Sequence, residues 1–213
     1  MTKHMPHILC IETATEVCSV AVFEGENLLY ERCNDEGYMH AETLHPFIRD
    51  CMEEASLSFD ALDAVAVSMG PGSYTGLRIG LSAAQGLCLG LDLPLLGIPT
   101  LESLADACFQ ECPEATLVAP MIDARRMEVY TAVFDRDMNE QVDPRTLILE
   151  EDSLISFRTN KQALYVNGNG CRKWRELHPK YVVWRDELQC SARHLIRRAL
   201  KYQAVNREIA PQE

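Results

Sequence analysis

Short apolar blocks and helical apolar stripes succeed one another along the chain, and the succession comes round twice. Residues 7–13 alternate weakly and predict a strand. Residues 17–23 predict a second, with Val17, Ser19, Ala21 and Phe23 on one side and Cys18, Val20 and Val22 on the other. The turn Glu24-Gly25-Glu26-Asn27 leads to a third strand at 28–33. After a polar loop, Leu44, Phe47, Ile48, Cys51, Met52 and Ala55 recur at i, i+3, i+4, i+7, i+8 and i+11. That spacing predicts an amphipathic helix over 43–56 with Asp50, Glu53 and Glu54 on its wet face. Pro46 suits the first turn of such a helix, where a missing N–H costs nothing. A buried strand follows at 64–68, a long helix at 75–91 and a short strand at 95–98. Thr100 then caps a helix running to Glu111, just ahead of Pro113.

The second half repeats the order. Strands are predicted at 117–122, 129–135 and 146–150, a short helix at 152–158, and a strand at 164–167. After the turn Gly168-Asn169-Gly170 come a helix to Leu177, a strand at 181–184 and a helix at 191–202. Leu195, Ala199 and Tyr202 give the last helix an apolar stripe; Arg193, Arg197, Arg198 and Lys201 give it a basic face. Three short-linked strands form an antiparallel meander, and strand-helix-strand units add parallel strands. The expected fold is α/β: a duplicated, ribonuclease-H-like, actin/Hsp70-like arrangement of mixed sheets flanked by helices. The expected lobes are 1–104 and 105–213, with the last helix packing back on the first.

Between strand 64–68 and helix 75–91 lies Met69-Gly70-Pro71-Gly72-Ser73-Tyr74-Thr75-Gly76-Leu77-Arg78-Ile79-Gly80. A strand, a glycine-rich turn and a helix can present backbone N–H groups to a phosphate. This turn has no Gly-Lys-Ser/Thr ending, and Gly70, Gly72 and Gly76 miss Gly-x-Gly-x-x-Gly by one residue. Gly70, Gly72, Gly76 and Gly80 are therefore expected to serve tight turning and close helix packing.

Composition narrows the function. The uncharged run between Arg78 and Asp92 falls short of the ~20 apolar residues of a membrane helix. The first apolar run stops at Glu12, so no export signal is expected and the location expected is cytoplasmic. Nine cysteines without a Cys-x-x-Cys pair suggest free, buried thiols in a reducing compartment. The net charge of −12 is uneven: residues 1–124 hold four Lys/Arg against 19 Asp/Glu, and residues 125–213 hold 16 against 13. The acidic first half is a poor nucleic-acid binder. Any RNA contact is expected from the second half or a partner, with Arg193, Arg197, Arg198 and Lys201 as candidates beside Arg172, Lys173, Arg175, Lys180 and Arg185.

Several segments together carry a family resemblance. They are Ile8-Leu9-Cys10-Ile11-Glu12-Thr13, the block Gly70 to Gly80, Gly97-Ile98-Pro99-Thr100-Leu101-Glu102-Ser103-Leu104-Ala105, and Asp123-Ala124-Arg125-Arg126-Met127-Glu128-Val129-Tyr130. They resemble the TsaB (YeaZ) family of bacterial tRNA threonylcarbamoyladenosine biosynthesis proteins, strongly over residues 7–135 and in element order beyond. The resemblance implies a non-catalytic subunit that binds the threonylcarbamoyl transferase TsaD, with the ATPase TsaE joining. The assembly modifies adenosine 37 of tRNA (t6A). The resemblance also implies a homodimer when the chain is alone. The family's Pro-x-Tyr-Leu-Arg-like finish is replaced here by Ile209-Ala210-Pro211-Gln212-Glu213.

Other chemistries fit less well. Actin-like folds hold ATP in glycine-bearing hairpins. Here the hairpins are Glu12-Thr13-Ala14-Thr15-Glu16-Val17 and Asp123-Ala124-Arg125-Arg126-Met127, without glycine, so no nucleotide cofactor is expected. Ser73 is flanked at ±2 by Pro71 and Thr75, so a Gly-x-Ser-x-Gly nucleophile elbow fails. His40 and His45 are five apart, which turns their rings about 140° from each other on a helix. They are expected to be solvated or capping, with no metal. An ATP-dependent kinase or a peptidase of the same fold stays the alternative. The apolar helices 43–56 and 75–91 suggest a docking surface for TsaD, centred by helical spacing on Leu44, Ile48, Cys51, Met52, Leu77, Leu81 and Gln85.

Overall fold

The structure, a computed structural model, describes residues 4–35, 37, 39–157, 163–177, 179 and 181–209. Contacts group the chain into two compact units, Met1–Pro99 with Ser191–Glu213, and Thr100–Cys190.

The first unit is built on β1 (His7–Glu12), β2 (Cys18–Glu24), β3 (Asn27–Asn34), β4 (Ala64–Ser68) and β5 (Leu95–Ile98). Their order is β3-β2-β1-β4-β5, with β1–β2 and β2–β3 antiparallel and β1–β4 and β4–β5 parallel. Alternate residues feed two cores. Leu9, Ile11, Val20, Val22, Val65 and Val67 face α1 (His40–Glu54) and α2 (Tyr74–Leu91). Ile8, Cys10, Ala21, Phe23, Ala64 and Ala66 face the 3₁₀ turn Ala192–His194 and, further along the chain, the helix Ile196–Ala204. Burial on both faces explains why β1, β2 and β4 read as nearly continuous apolar runs.

The second unit repeats this plan. It comprises α3 (Thr100–Glu111), β6 (Leu117–Asp123), β7 (Glu128–Asp135), β8 (Glu140–Ile148), β9 (Leu164–Asn167), α4 (Cys171–Arg175) and β10 (Val182–Arg185). Its sheet order, β10-β9-β6-β7-β8, is the first sheet's order in corresponding positions. Val118, Ala132, Phe134 and Tyr165 pack on α3, whereas Ala119, Met121, Val133 and Val166 pack against Trp174 of α4. The fold class is the expected one. The last helix, α5 (Ile196–Ala204), belongs to the first unit.

Several boundaries differ from the expectation. α1 begins at His40, which places Pro46 inside the helix and removes the bond its N–H would have made to the Glu42 carbonyl. β8 covers Glu140–Ile148 rather than 146–150. It is an exposed edge strand containing Pro144, so it shows little burial alternation to read. The helix expected at 152–158 is a 3₁₀ turn, Ile155–Phe157, and Arg158 lies outside the described residues. Ala210–Glu213, most of the atypical tail, lie outside them too. Ile209 donates its N–H to the Leu95 carbonyl at 2.9 Å and bridges the edge of β5. Among the described residues, no helix is long and apolar enough to cross a membrane.

None of the nine cysteines forms a disulfide, and Cys33 alone of them is exposed. Burial pushes the Cys88 thiol up to about 11 and the Cys51, Cys108 and Cys171 thiols up to about 12. Burial and the nearby Glu31 and Asp35 raise the Cys33 thiol as well, so a thiol reagent at pH 8 should modify Cys33 first, because it is exposed, and the rest only after denaturation. Intact-mass kinetics check this, and fast labelling of several thiols in the native protein would contradict the packing.

Candidate functional site

The glycine turn closes on the chain itself. Gly70 sits at φ +98°, in the region that favours glycine, and starts the reversal from β4 into α2. Ser73 is the N-cap of α2, its Oγ accepting the Gly76 N–H at 3.3 Å. The turn between β1 and β2 lies against this helix start. The Ser73 N–H donates to the Ala14 carbonyl at 2.6 Å. A Cβ at Gly72 would overlap that same carbonyl oxygen, and a Cβ at Gly76 would overlap the Thr13 carbonyl oxygen. At Gly80 it would overlap the Thr13 hydroxyl. The space beside Gly72 and Gly76 is filled by the backbone of Thr13 and Ala14.

Behind the turn is a buried polar layer. Glu12 is wholly buried. Its Oε1 accepts the Ala14 N–H at 2.6 Å and the Ser68 hydroxyl at 2.7 Å. Among the described residues, Glu12 Oε2 and the Thr13 hydroxyl have no hydrogen-bond partner. Desolvation raises the Glu12 pKa above the ordinary carboxylate range, and the hydrogen bonds from Ala14, Ser68 and Thr13 only partly oppose it. His40 is also buried, against the expectation of a solvated or capping ring. Its Nε2 lies 2.7 Å from the Thr15 carbonyl, which can only accept, so the ring carries a proton there. The early start of α1 is what carries His40 under the β1–β2 turn. His45 is exposed, as its half of the expectation had it. Among the described residues, no group of three His, Cys, Asp or Glu side chains is placed to hold a metal ion.

The expected docking residues do not share a surface. Leu44, Ile48, Cys51 and Met52 point into the core beneath α1, where the Cys51 thiol donates to the Val20 carbonyl at 3.3 Å. This corrects their assignment: the helical stripe is the face that packs on the sheet. Leu77, Leu81 and Gln85 are half-buried; Leu77 lies over Gly70, and Leu81 packs on the same core.

A groove of about 780 Å³ runs between the outer sides of α1 and α2. Of the expected set it reaches Ile48 alone. Its floor includes Phe59, Ile79, Ala83 and Leu87, and its rim carries His45, Arg49 and Arg78. The Arg78 guanidinium stacks on Tyr74, 4.2 Å from the ring centroid. Tyr74 is 69% exposed and Leu89 57% exposed. Around Gly86 and Gly90 there is open space, with no atom within 4 Å of a Cβ built at either. These glycines weaken α2 without relieving any clash inside the unit. Sequence periodicity missed this side because glycine, serine and arginine carry no apolar signal. The usable sign was the pair of glycines four apart inside a helix.

The basic residues are also redistributed. Arg198 is buried, its guanidinium 5.5 Å from the Tyr202 ring centroid, which corrects its placement on an exposed basic face. Arg193 pairs with Glu31. Arg197 and Lys201 are exposed. Arg175 pairs with Asp186 at 2.8 Å, Arg185 with Glu111 at 3.0 Å and Lys173 with Asp123 at 2.6 Å. Lys180 lies outside the described residues.

Two expectations follow. Gly76→Ala should lower stability by about 2–3 kcal/mol, because the methyl meets backbone, whereas Gly86→Ala should raise it by about 1 kcal/mol. Urea unfolding reads both. Because burial raises the Glu12 pKa, folding favours its neutral form. Stability from this group is full below the ordinary glutamate range and is lost as pH rises through the raised value. Glu12→Gln should flatten that slope and be more stable at pH 8 by about 1–2 kcal/mol, measured by urea unfolding across pH.

Comparison with known proteins places this geometry. A family model described as TsaD, tRNA N6-adenosine threonylcarbamoyltransferase, matches residues 37–157. The chain is 42% identical over 134 residues to the tRNA threonylcarbamoyladenosine biosynthesis protein TsaB of Escherichia coli, covering 62% of this chain and 56% of that protein. It is 30% identical over 166 residues to the TsaB of Bacillus subtilis, covering 76% of this chain and 70% of that protein. The chain thus spans little more than half the length of several curated relatives it matches. The solved structure of YeaZ from Pseudomonas aeruginosa superposes with a TM-score of 0.86 at 29% identity, covering 98% of this chain and 97% of that one. By sequence and by fold, the chain belongs to the TsaB (YeaZ) family of tRNA threonylcarbamoyladenosine biosynthesis proteins.

Proposed function

We propose that the chain is a non-catalytic subunit for tRNA threonylcarbamoylation that docks the transferase TsaD through the groove between α1 and α2. The observation that carries the reading is the open space over Gly86 and Gly90, beside the apolar floor of Ile79, Ala83 and Leu87. Small residues on one helix face let another helix approach closely, and exposed Tyr74 and Leu89 supply aromatic and aliphatic contacts at its two ends. Arg49 and Arg78 are two of the four cations in residues 1–124, and both line the groove, which suits a partner carrying carboxylates there. TsaE joins the assembly, and without TsaD the same face pairs with a second copy of the chain.

The closed glycine turn supports a subunit without its own phosphate chemistry. Carbonyl oxygens occupy the place of an anion at Gly72 and Gly76, and they would repel one. Ser73 serves as a helix cap rather than a nucleophile.

Reconstitution of tRNA threonylcarbamoylation from purified components tests the reading. Omitting the chain should abolish product formation, and full activity without it would end the proposal. Gly86→Leu fills the groove from a position open to solvent. It should fold normally by circular dichroism yet weaken TsaD binding at least tenfold by calorimetry; unchanged affinity would move the interface elsewhere.

A further inference from the structure

The β6–β7 hairpin turns through Arg125 and Arg126 at φ +70° and +47°. Both lie in the left-handed region, which glycine and, after it, asparagine enter with least strain. Two long cationic side chains hold the place instead, and the surroundings are built to keep them there. The Ala124 N–H donates to the Glu128 carbonyl, and the Glu128 N–H to the Arg125 carbonyl, each at 3.1 Å. Asp123 Oδ1 accepts the Arg125 N–H at 2.6 Å and the Lys173 ammonium at 2.6 Å. The Lys173 ammonium also reaches the Glu128 carbonyl at 3.3 Å, which brings α4, with exposed Arg172, beside the tip. Lys173 thereby neutralises the acid next to the arginines. Among the described residues, the guanidinium groups of Arg125, Arg126 and Arg172 have no hydrogen-bond, ion-pair or ring partner, whereas Arg175, Arg185 and Arg193 are each engaged by a carboxylate.

We infer that this hairpin tip, with Arg172, is a contact for the phosphate backbone of RNA. A guanidinium fork matches a phosphate bidentately, and strain retained at an exposed turn points to use of the side chains. The site begins the half of the chain where Lys/Arg outnumber Asp/Glu, 16 to 13, the balance that favours contact with a polyanion. The inference rests on the reading of the chain as a tRNA-modification subunit and adds where that subunit touches tRNA. It replaces the α5 face, where Arg198 is buried and Arg193 is paired.

The double substitution Arg125→Asn with Arg126→Gly separates the two roles of the turn. It should raise the melting temperature by a few degrees, since it supplies the pair the backbone wants. Fluorescence anisotropy would follow unmodified tRNA binding between 50 and 200 mM salt, for the isolated chain and for its complex with TsaD. Affinity should fall about tenfold, and the log–log salt slope should shrink by about two. Arg125→Gln with Arg126→Gln should lose the same affinity without the gain in stability. Unchanged tRNA affinity and slope for both double variants would overturn the inference. Retained tRNA affinity with weakened TsaD binding would assign the tip to a protein contact and overturn it equally. Pull-down of TsaD by the same variants reports separately on the subunit reading, which fails if the unsubstituted chain captures none.

Discussion

Two carbonyl groups set against two glycines hold the first unit in its arrangement. The Thr13 and Ala14 oxygens occupy the positions where side chains at Gly76 and Gly72 would stand, and the Ser73 N–H closes the contact. That approach fixes how far α2 stands from the end of β1. It forces Glu12 and Thr13 into a buried layer, and it brings His40 at the start of α1 under the Thr15 carbonyl. α1 and α2 are thereby set side by side, and the groove between their outer flanks follows from that spacing. The same contact decides the chemistry of the turn. The Ser73 N–H is spent on the Ala14 carbonyl and the Gly76 N–H on the Ser73 hydroxyl, so neither is left to meet an anion.

The layer behind the turn is polar where the rest of the sheet is apolar. Among the described residues Glu12 Oε2 has no hydrogen-bond partner, and burial favours the neutral form of the carboxyl. An ionised carboxylate there would need a cation or a further donor at Oε2, which has no hydrogen-bond partner among the described residues. In the second unit the turn 168–170 closes on the end of β6 in the same way, the Gly170 N–H donating to the Met121 carbonyl at 3.0 Å. The acid there, Asp123, lies at the surface, bonded to Lys173 and to the hairpin's own backbone, and the hairpin tip carries Arg125 and Arg126. One strand plan, used twice, thus buries the hairpin acid in one unit and exposes it beside a cationic tip in the other.

Helical spacing identified the apolar stripe of α1 correctly but could not say what the stripe faces. Leu44, Ile48, Cys51 and Met52 pack on the sheet, as an amphipathic helix on a sheet ordinarily does, and the side left for a partner is the one rich in small and charged residues. Arg198 went the same way. At its helical angle it falls beside Ala199 and Tyr202, and the ring of Tyr202 covers it. β8 was cut short because an exposed edge strand has no buried face to alternate with, and its Pro144 reads as a break.

The sequence by itself determined the order of strands and helices, the repetition of that order, the glycine turn and the uneven charge. Each of these is local: it depends on period, on turn residues or on counting. The family resemblance rested on the same local segments. Only the tertiary structure decided which side of α1 and α2 stays free, because that depends on where the sheet lies. It alone showed that Gly72 and Gly76 receive the carbonyls of a turn some sixty residues earlier in the chain. It alone left Arg125 and Arg126 without an ion pair among the described residues while other arginines met carboxylates brought from distant parts of the sequence. Pairing and close approach are relations between residues far apart along the chain, and no local pattern records them.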